Sequence, residues 1–464
     1  MKYNNKYIYA CLLFTALFTS CDKLLEIDDP LNEQPSEVVF RSPETAKMAL
    51  SGAYGQLSLN STFTFQFTSF NGLAADELLY TSPAQFGDVM TNTYDPITTL
   101  GLYSIWGDVY TSIYRFNSII DGVTGNTLLP VSLTNQMLGE AKTMRAYCYY
   151  HLVNMFGDIP LVVSTDANIT AMQPRASVSS IYELLISDLE EAKTLLAEDY
   201  SSGSRQQVNR GAATALLSRI YLHVEDYPRA LSNSSDVISQ TGRYSLLPAD
   251  QLDRVFLQNS SEAILQLGPD LQGDNGYTRE GATFLPALAT SVPNYALSSS
   301  QVSAFEPGDL RADVWVLPWK VNNIDYFLPY KYQNHSQEVA MTNNRQETPM
   351  VLRLAEQYLI RAEARMRTGD EDGARSDINI IRNRAGLGNL SSSINLMDAI
   401  LQERHAELFC ELGNRWHTIK RMDRVDDIMG ALRPVTWQPF ANLYPIPQTA
   451  RDSNPNLTQN EGYR

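Results

Sequence analysis

Residues 353–386 read RLAEQYLIRAEARMRTGDEDGARSDINIIRNRAG, and this stretch decides the fold. Leu354, Tyr358, Ala362 and Met366 recur every four residues, with Ala355 and Leu359 beside them, which draws one apolar stripe at helical period. The opposite face, Glu356, Arg361, Glu363, Arg365 and Arg367, reads as solvated. Gly369 suits the left-handed residue that ends a helix, and Asp370 suits the cap of the next one. Ala374, Ile378 and Ile381 supply a second stripe, in which the small Ala374 lets two helix axes approach closely. The expectation is two antiparallel helices joined by one tight turn.

The same grammar returns upstream over 213–239, where Leu217, Ile220 and Val224 form a stripe that stops at Glu225-Asp226-Tyr227-Pro228. Aligning Ala230 with Ala374 sets Ser218 on Ala362, Tyr221 on Arg365 and Asp226 on Asp370. Three of these four pairs fit the tetratricopeptide pattern; Arg365, where an aromatic is usual, departs from it. One helix pair cannot bury its own apolar face, so several must stack. The fold class expected is mainly α, a tetratricopeptide-like helical-repeat scaffold packed against a loop-rich, irregular half.

Composition sets the limits. The chain has 464 residues, 44% hydrophobic and 19% charged, enough for a large core in one domain or two. Its net charge of −16 becomes −18 once Lys2 and Lys6 leave with the first 20 residues. Such a surface repels phosphate backbones, so nucleic acid is not an expected partner. Lys2 and Lys6 precede an apolar run, Tyr7 to Phe18, that is too short to span a bilayer, and Thr19-Ser20-Cys21 follow. A cysteine directly after small residues is what a bacterial lipoprotein signal needs, with Cys21 the lipidation site; an ordinary signal peptide with an incidental cysteine is the alternative. Residues 1–20 therefore read as signal, 21–42 as a Pro- and Asp-rich extended tether, and 43–464 as the folded domain. Cys11 leaves with the signal, and Cys148 and Cys410 make no disulfide framework.

Helical periodicity is expected over about 43–57, 104–156, 179–240 and 351–412. Two stretches lack it. Over 60–100, Phe63, Phe65 and Phe67 alternate as in a short strand and the rest reads as loop; over 242–348, aromatics lie among Gly, Pro and Asn. Irregular segments of this length in a compact chain are more often functional than idle. Their candidate ligand platforms are Tyr80, Phe86, Tyr94, Tyr277, Tyr295, Trp315 and Trp319, because an aromatic ring stacks on the C–H face of a sugar. Asp76, Asp88, Asn92, Asn275 and Arg279 are the polar neighbours suited to a sugar's hydroxyl rim. The same aromatics also suit a plainer role, pinning long loops to the helical half.

No G-x-S-x-G elbow, H-E-x-x-H helix, P-loop or dinucleotide glycine motif occurs. Glu403, Glu407 and Glu411 stand one turn apart, but Arg404, Arg415 and Lys420 nearby favour an ion-pair network over catalysis. Asp370-Glu371-Asp372-Gly373 lacks the later glycine and the twelfth-place Glu of a calcium loop. The five histidines are scattered singly. No catalytic residue, metal site or cofactor is expected.

Several motifs together resemble the SusD/RagB family of Bacteroidetes surface lipoproteins. They are Cys21 with its signal; Gly139-Glu140-Ala141 through Arg145-Ala146-Tyr147 to Phe156-Gly157-Asp158-Ile159-Pro160; Arg210 to Leu222; and Phe305-Glu306 through Asp309-Leu310-Arg311. Lys331-Tyr332, the 353–386 hairpin, Glu403-Arg404, Glu407-Leu408, Arg415-Trp416, Lys420-Arg421 and the tail from Tyr444-Pro445-Ile446-Pro447 to Gly462-Tyr463 complete the set. Thr418 departs from the usual Asp. The resemblance implies a lipid anchor in the outer membrane, a lid-like place over a SusC-like TonB-dependent transporter, and a ligand that is an oligosaccharide in most relatives and a peptide in some. A surface hydrolase and a purely structural adaptor stay open as rivals.

Overall fold

The computed structural model describes residues 36–268 and 275–463. The expected signal, Cys21 and residues 21–35 of the expected tether lie outside them; the rest of that tether is not extended, since Ser36–Val39 form a helical turn and Phe40 is buried in the core.

The 353–386 hairpin forms as its residues dictate. Helix α7 (Leu354–Arg367) ends at Gly369, whose φ is +90°, and α8 (Glu371–Arg384) begins where the Asp370 carboxylate accepts the Gly373 N–H at 2.9 Å. Ala362, Ala374 and Ile378 meet in a buried cluster with Leu396 and Ile400 of α9 (Leu396–Glu407). Upstream lie α1 (Pro43–Leu59), α2 (Leu102–Val123), α3 (Val131–Phe156), α4 (Val178–Leu195), α5 (Arg210–His223) and α6 (Tyr227–Ser239). From α2 to α8 each helix packs on the next, and α9 closes over α7 and α8. This is the stack that a lone pair requires to hide its apolar face.

The solvated face expected on α7 does not exist. Glu356 and Glu363 are buried and paired with Arg219 of α5 and Arg421, while Arg361 and Arg365 turn to Asp377 of α8; only Arg367 of the five is exposed. A helix inside a stack is covered on both sides, so its charges face partners rather than water.

Between α6 and α7 the chain leaves the stack for more than a hundred residues. Strand β4 (Ala263–Gln266) pairs antiparallel with β8 (Met350–Arg353), so exit and return are tied together at the base. The excursion holds short elements, among them the β6 (Val316–Val321) and β7 (Ile324–Pro329) hairpin. Its turn is Asn322-Asn323, both at positive φ (52° and 61°), which matches the twist of the strands.

The 60–100 stretch is not the expected strand and loop. Thr62–Gln66 is a π turn that runs into a helix, Phe67–Ala74, every residue of which is buried. A helix with no solvent side has no polar face, which erases the pattern by which helices are read. Helix Pro83–Thr91 follows.

A buried charge cluster rivets the excursion to the stack. Glu407 takes Arg311 at 2.9 Å and Arg353 at 2.5 Å and also pairs with Arg384, while Glu403 takes Arg311 at 2.6 Å. The partners are thus distant in sequence, not Arg404, Arg415 and Lys420 as proximity suggested. Nor does Glu411 lie on the helix: α9 stops at Glu407, and the Lys331 ammonium donates to the carbonyls of Glu407 and Phe409, both at 2.8 Å, and to Glu411. A cation on the last carbonyls ends the helix favourably. Arg404 donates to the hydroxyl of Thr418 at 3.2 Å, so at the position where the sequence departs from the usual Asp the guanidinium meets a neutral acceptor.

Candidate ligand-binding face

The two aperiodic stretches meet in a two-stranded ribbon. Strand β1 (Leu78–Tyr80) runs antiparallel to β5 (Tyr295–Leu297), with Tyr80 directly opposite Tyr295 and Leu79 opposite Ala296. Strand side chains alternate, so the ribbon has two aromatic faces. On one, Tyr80 meets Tyr295 edge-on at 4.8 Å and Phe86 at 5.0 Å, while Phe65 and Phe284 back Tyr295 at 5.6 and 5.5 Å. On the other, Leu79 and Ala296 pack with Leu328, Trp319 and Tyr326 of the β6–β7 hairpin. Trp319 stands across from Tyr326, and its indole N–H donates to the Ser291 carbonyl at 3.1 Å.

Exposure sorts the candidates. Tyr80, Phe86 and Trp319 are half-buried, and the Tyr80 hydroxyl donates to the exposed Gln85 amide oxygen at 2.6 Å. These three rings are partly open to solvent. Tyr295 is 4% exposed and supports Tyr80 from below.

Four candidates are withdrawn from ligand contact. Trp315 is fully buried and donates to the Leu252 carbonyl at 3.0 Å. Tyr94 is buried against Tyr444, and its hydroxyl accepts from Asn92 at 2.6 Å. Asn92 is also buried; in the left-handed region at φ 55°, it caps Pro83–Thr91 and donates to the Ala74 carbonyl at 3.0 Å. Asp76 is buried and gripped by Arg415, with Ser300 donating to it at 2.8 Å. In each case a polar group, whether on an aromatic, an amide or a carboxylate, reads as a surface group in a loop but has its hydrogen-bond partner inside.

The remaining polar candidates are placed differently again. The half-buried Asp88 accepts from Thr99 and from the Val89 N–H at 2.9 Å. Arg279 donates to the Leu59 carbonyl at 3.3 Å, seating the excursion on the last turn of α1. Asn275 and Tyr277 are half-buried and flank Gly276, whose carbonyl accepts from Asn334 at 2.8 Å. Gln85, bonded to Tyr80, and Tyr326 and the 38%-exposed Phe327 of the β6–β7 hairpin are not among the sequence candidates. The signal for the last two was present: an Asn-Asn pair between two β-rich runs marks a hairpin.

Burial also shifts the local acids. Glu77, one residue from Asp76, is pushed up to about 8 by burial and by the Asp76 charge, and Glu280 to about 8 by burial with Glu411 adding to it. Burial holds His151, His223 and His417 well below their ordinary range, so they are neutral. Among the described residues no three His, Cys, Asp or Glu side chains are grouped to hold a metal ion.

The fold defines the class, a tetratricopeptide-like helical scaffold bearing an aromatic excursion. Solved structures share it, among them a laminarin-binding SusD-like protein (TM-score 0.76, 22% identity, covering 91% of this chain and 100% of that one) and a surface glycan-binding protein A from Bacteroides fluxus (0.74, 20%, 91% and 100%). The SusD family model matches residues 319–463, and a second family, described as starch-binding and associating with the outer membrane, matches 29–222. SusD-like protein P25 of Formosa agariphila is 26% identical across 100% of both chains. Starch-binding protein SusD of Bacteroides thetaiotaomicron is 33% identical over 121 residues, 25% of this chain and 21% of that one. The family-model, sequence and structure matches thus all fall in the SusD/RagB family.

Proposed function

We propose that the protein captures an oligosaccharide at the outer membrane and passes it to a SusC-like TonB-dependent transporter without altering it. The observation that carries this reading is the β1–β5 ribbon, which joins the two irregular stretches and leaves the edges of Tyr80 and Phe86 beside the Gln85 amide, with Trp319 on its other face. A sugar ring stacked on one such aromatic buries about 50 Å² of apolar area, worth on the order of 1 kcal/mol at roughly 25 cal/mol per Å². A few contacts of this size, less the entropy of association, give affinities of about micromolar to millimolar. Capture followed by release suits that range.

Two further observations support the reading. Relatives named for starch and for laminarin make a glucan the first ligand to try. The acids that came nearest to a catalytic pair, Glu403 and Glu407, are buried and saturated by arginines, which leaves neither able to reach a substrate. A lipid on Cys21 would hold the protein at the membrane, and none of the described helices is long and apolar enough to cross one. Native gels cast with laminarin or soluble starch test the proposal: retarded migration with the glycan recovered intact supports it. Migration unaffected by any polysaccharide, with retention of cationic peptides by the acidic surface, would replace the glycan with a peptide.

A further inference from the structure

The Tyr80 and Phe86 rings ride on a loop whose base is closed from outside. The chain leaves helix Phe67–Ala74, passes through β1 and helix Pro83–Thr91, and returns at Asn92, whose amide donates to the Ala74 carbonyl at 3.0 Å. Arg433 comes from a segment more than 300 residues further along. Its Nη2 donates to the carbonyls of Leu73 at 2.9 Å and Ala75 at 2.6 Å, and its Nη1 to the Ala74 carbonyl at 2.5 Å and to the Asn92 side-chain oxygen.

These acceptors belong to two helix ends. Leu73, Ala74 and Ala75 are the C-terminal carbonyls of the first helix, where the aligned peptide dipoles concentrate negative charge, and Asn92 caps the second. One planar guanidinium, with donors in a fixed fork, spans both. Within the loop, the Tyr80 N–H reaches the Met90 sulfur at 3.1 Å, so β1 and the second helix move as one piece. Removing the fork would loosen that piece at its base, leaving Asp76 and the β1–β5 pairing to hold it, while the rings themselves stay intact.

We infer that Arg433 is a positioning residue for the ligand face: it sets the Tyr80–Phe86 pair against Tyr295 by locking residues 73–92 at their base. The inference rests on the proposed ligand reading, and its test separates the two. Arg433→Gln and Arg433→Lys are compared with the wild-type protein by amide hydrogen exchange and by binding to laminarin and soluble starch. Arg433→Gln should speed exchange across 75–92 at least tenfold and leave 354–384 unchanged. Glucan binding should weaken about tenfold, and Arg433→Lys, which keeps one cation on the carbonyls, should recover part of both. Unchanged exchange across 75–92 overturns the inference, as does faster exchange with undiminished binding. Should Arg433→Gln not fold, the same two outcomes are read on Arg433→Lys. If Phe86→Ala and Trp319→Ala bind both glucans as the wild type does, the ligand reading fails instead, whatever Arg433 does.

Discussion

Arg415 grips Asp76 through two parallel hydrogen bonds, Nε to Oδ1 and Nη2 to Oδ2, each 2.8 Å long, and both side chains are buried. The pair joins the start of the ribbon to the helix Asn414–Arg421, 339 residues away in the chain. Burial alone would raise the Asp76 carboxyl, but the Arg415 hydrogen bonds outweigh it and hold the group well below the usual range.

Asp76→Ala should therefore destabilise the protein by about 3–5 kcal/mol at pH 7, because it leaves Arg415 buried without a counter-charge. A carboxylate held low in the folded state stabilises above its unfolded value of about 4, and that contribution disappears as pH falls through the folded one. Urea unfolding at pH 7 and in steps below pH 4 should show the variant losing less of its remaining stability with acid than the wild type. Parallel curves would mean that the pair does not report on this titration.

Trp315 and Trp319 make a matched pair for separating core from ligand face. Trp315→Ala should cost about 3–5 kcal/mol, since the ring is enclosed and a cavity must follow. Trp319→Ala should lose less stability but weaken glucan binding about fivefold, the equivalent of about 1 kcal/mol of stacking. Melting temperature and affinity measured on both variants decide it; if Trp319→Ala proves the more destabilising and binds normally, that ring is packing alone.

Glu280 provides a pH signature of the opposite sign. Its folded value, about 8, lies above its ordinary 4.5, so the folded protein keeps a proton that the unfolded chain releases. Stability attributable to this group falls as pH rises from about 4.5 to about 8 and is level beyond. Glu280→Gln removes that decline, so the variant should gain on the wild type between pH 5 and pH 8. Urea midpoints at pH 5, 6.5 and 8 check this, and a constant difference across the three would show that Glu280 ionises normally.

Cys21→Ala should abolish acylation and move the protein from the membrane to the soluble fraction, since two or three acyl chains at about 0.8 kcal/mol per buried CH₂ make a durable anchor. Lipid labelling alongside fractionation tests this. A variant that still takes up label and stays with the membrane would locate the attachment elsewhere.

Local signals carried far in this chain. Gly369 with Asp370, and Asp226 with Pro228, mark the two helix turns because a cap is satisfied by groups three residues away. The stripe of α7 was legible for the same reason, as its period is set by the backbone itself, whereas α5 is buried on every side and Val224, read into its stripe, is exposed. The ligand candidates were legible only as a set. Tyr80, Phe86 and Trp319 sit in segments where most of the other aromatics are buried, and nothing within a few residues of Trp315 distinguishes it from Trp319.

By itself, then, the sequence determined the helical-repeat frame, the turns and caps within it, the family and the two stretches that break the period. Tertiary structure alone decided that Phe67–Ala74 is a helix and that Glu407 answers to Arg311, Arg353 and Arg384. It alone joined Tyr80 to Tyr295 and closed the loop beneath them with Arg433. The physical reason is range. Caps and periodicity act over one or two helical turns, whereas a buried charge or ring takes whichever partner the folded chain brings within about 3–6 Å, from any distance along the sequence.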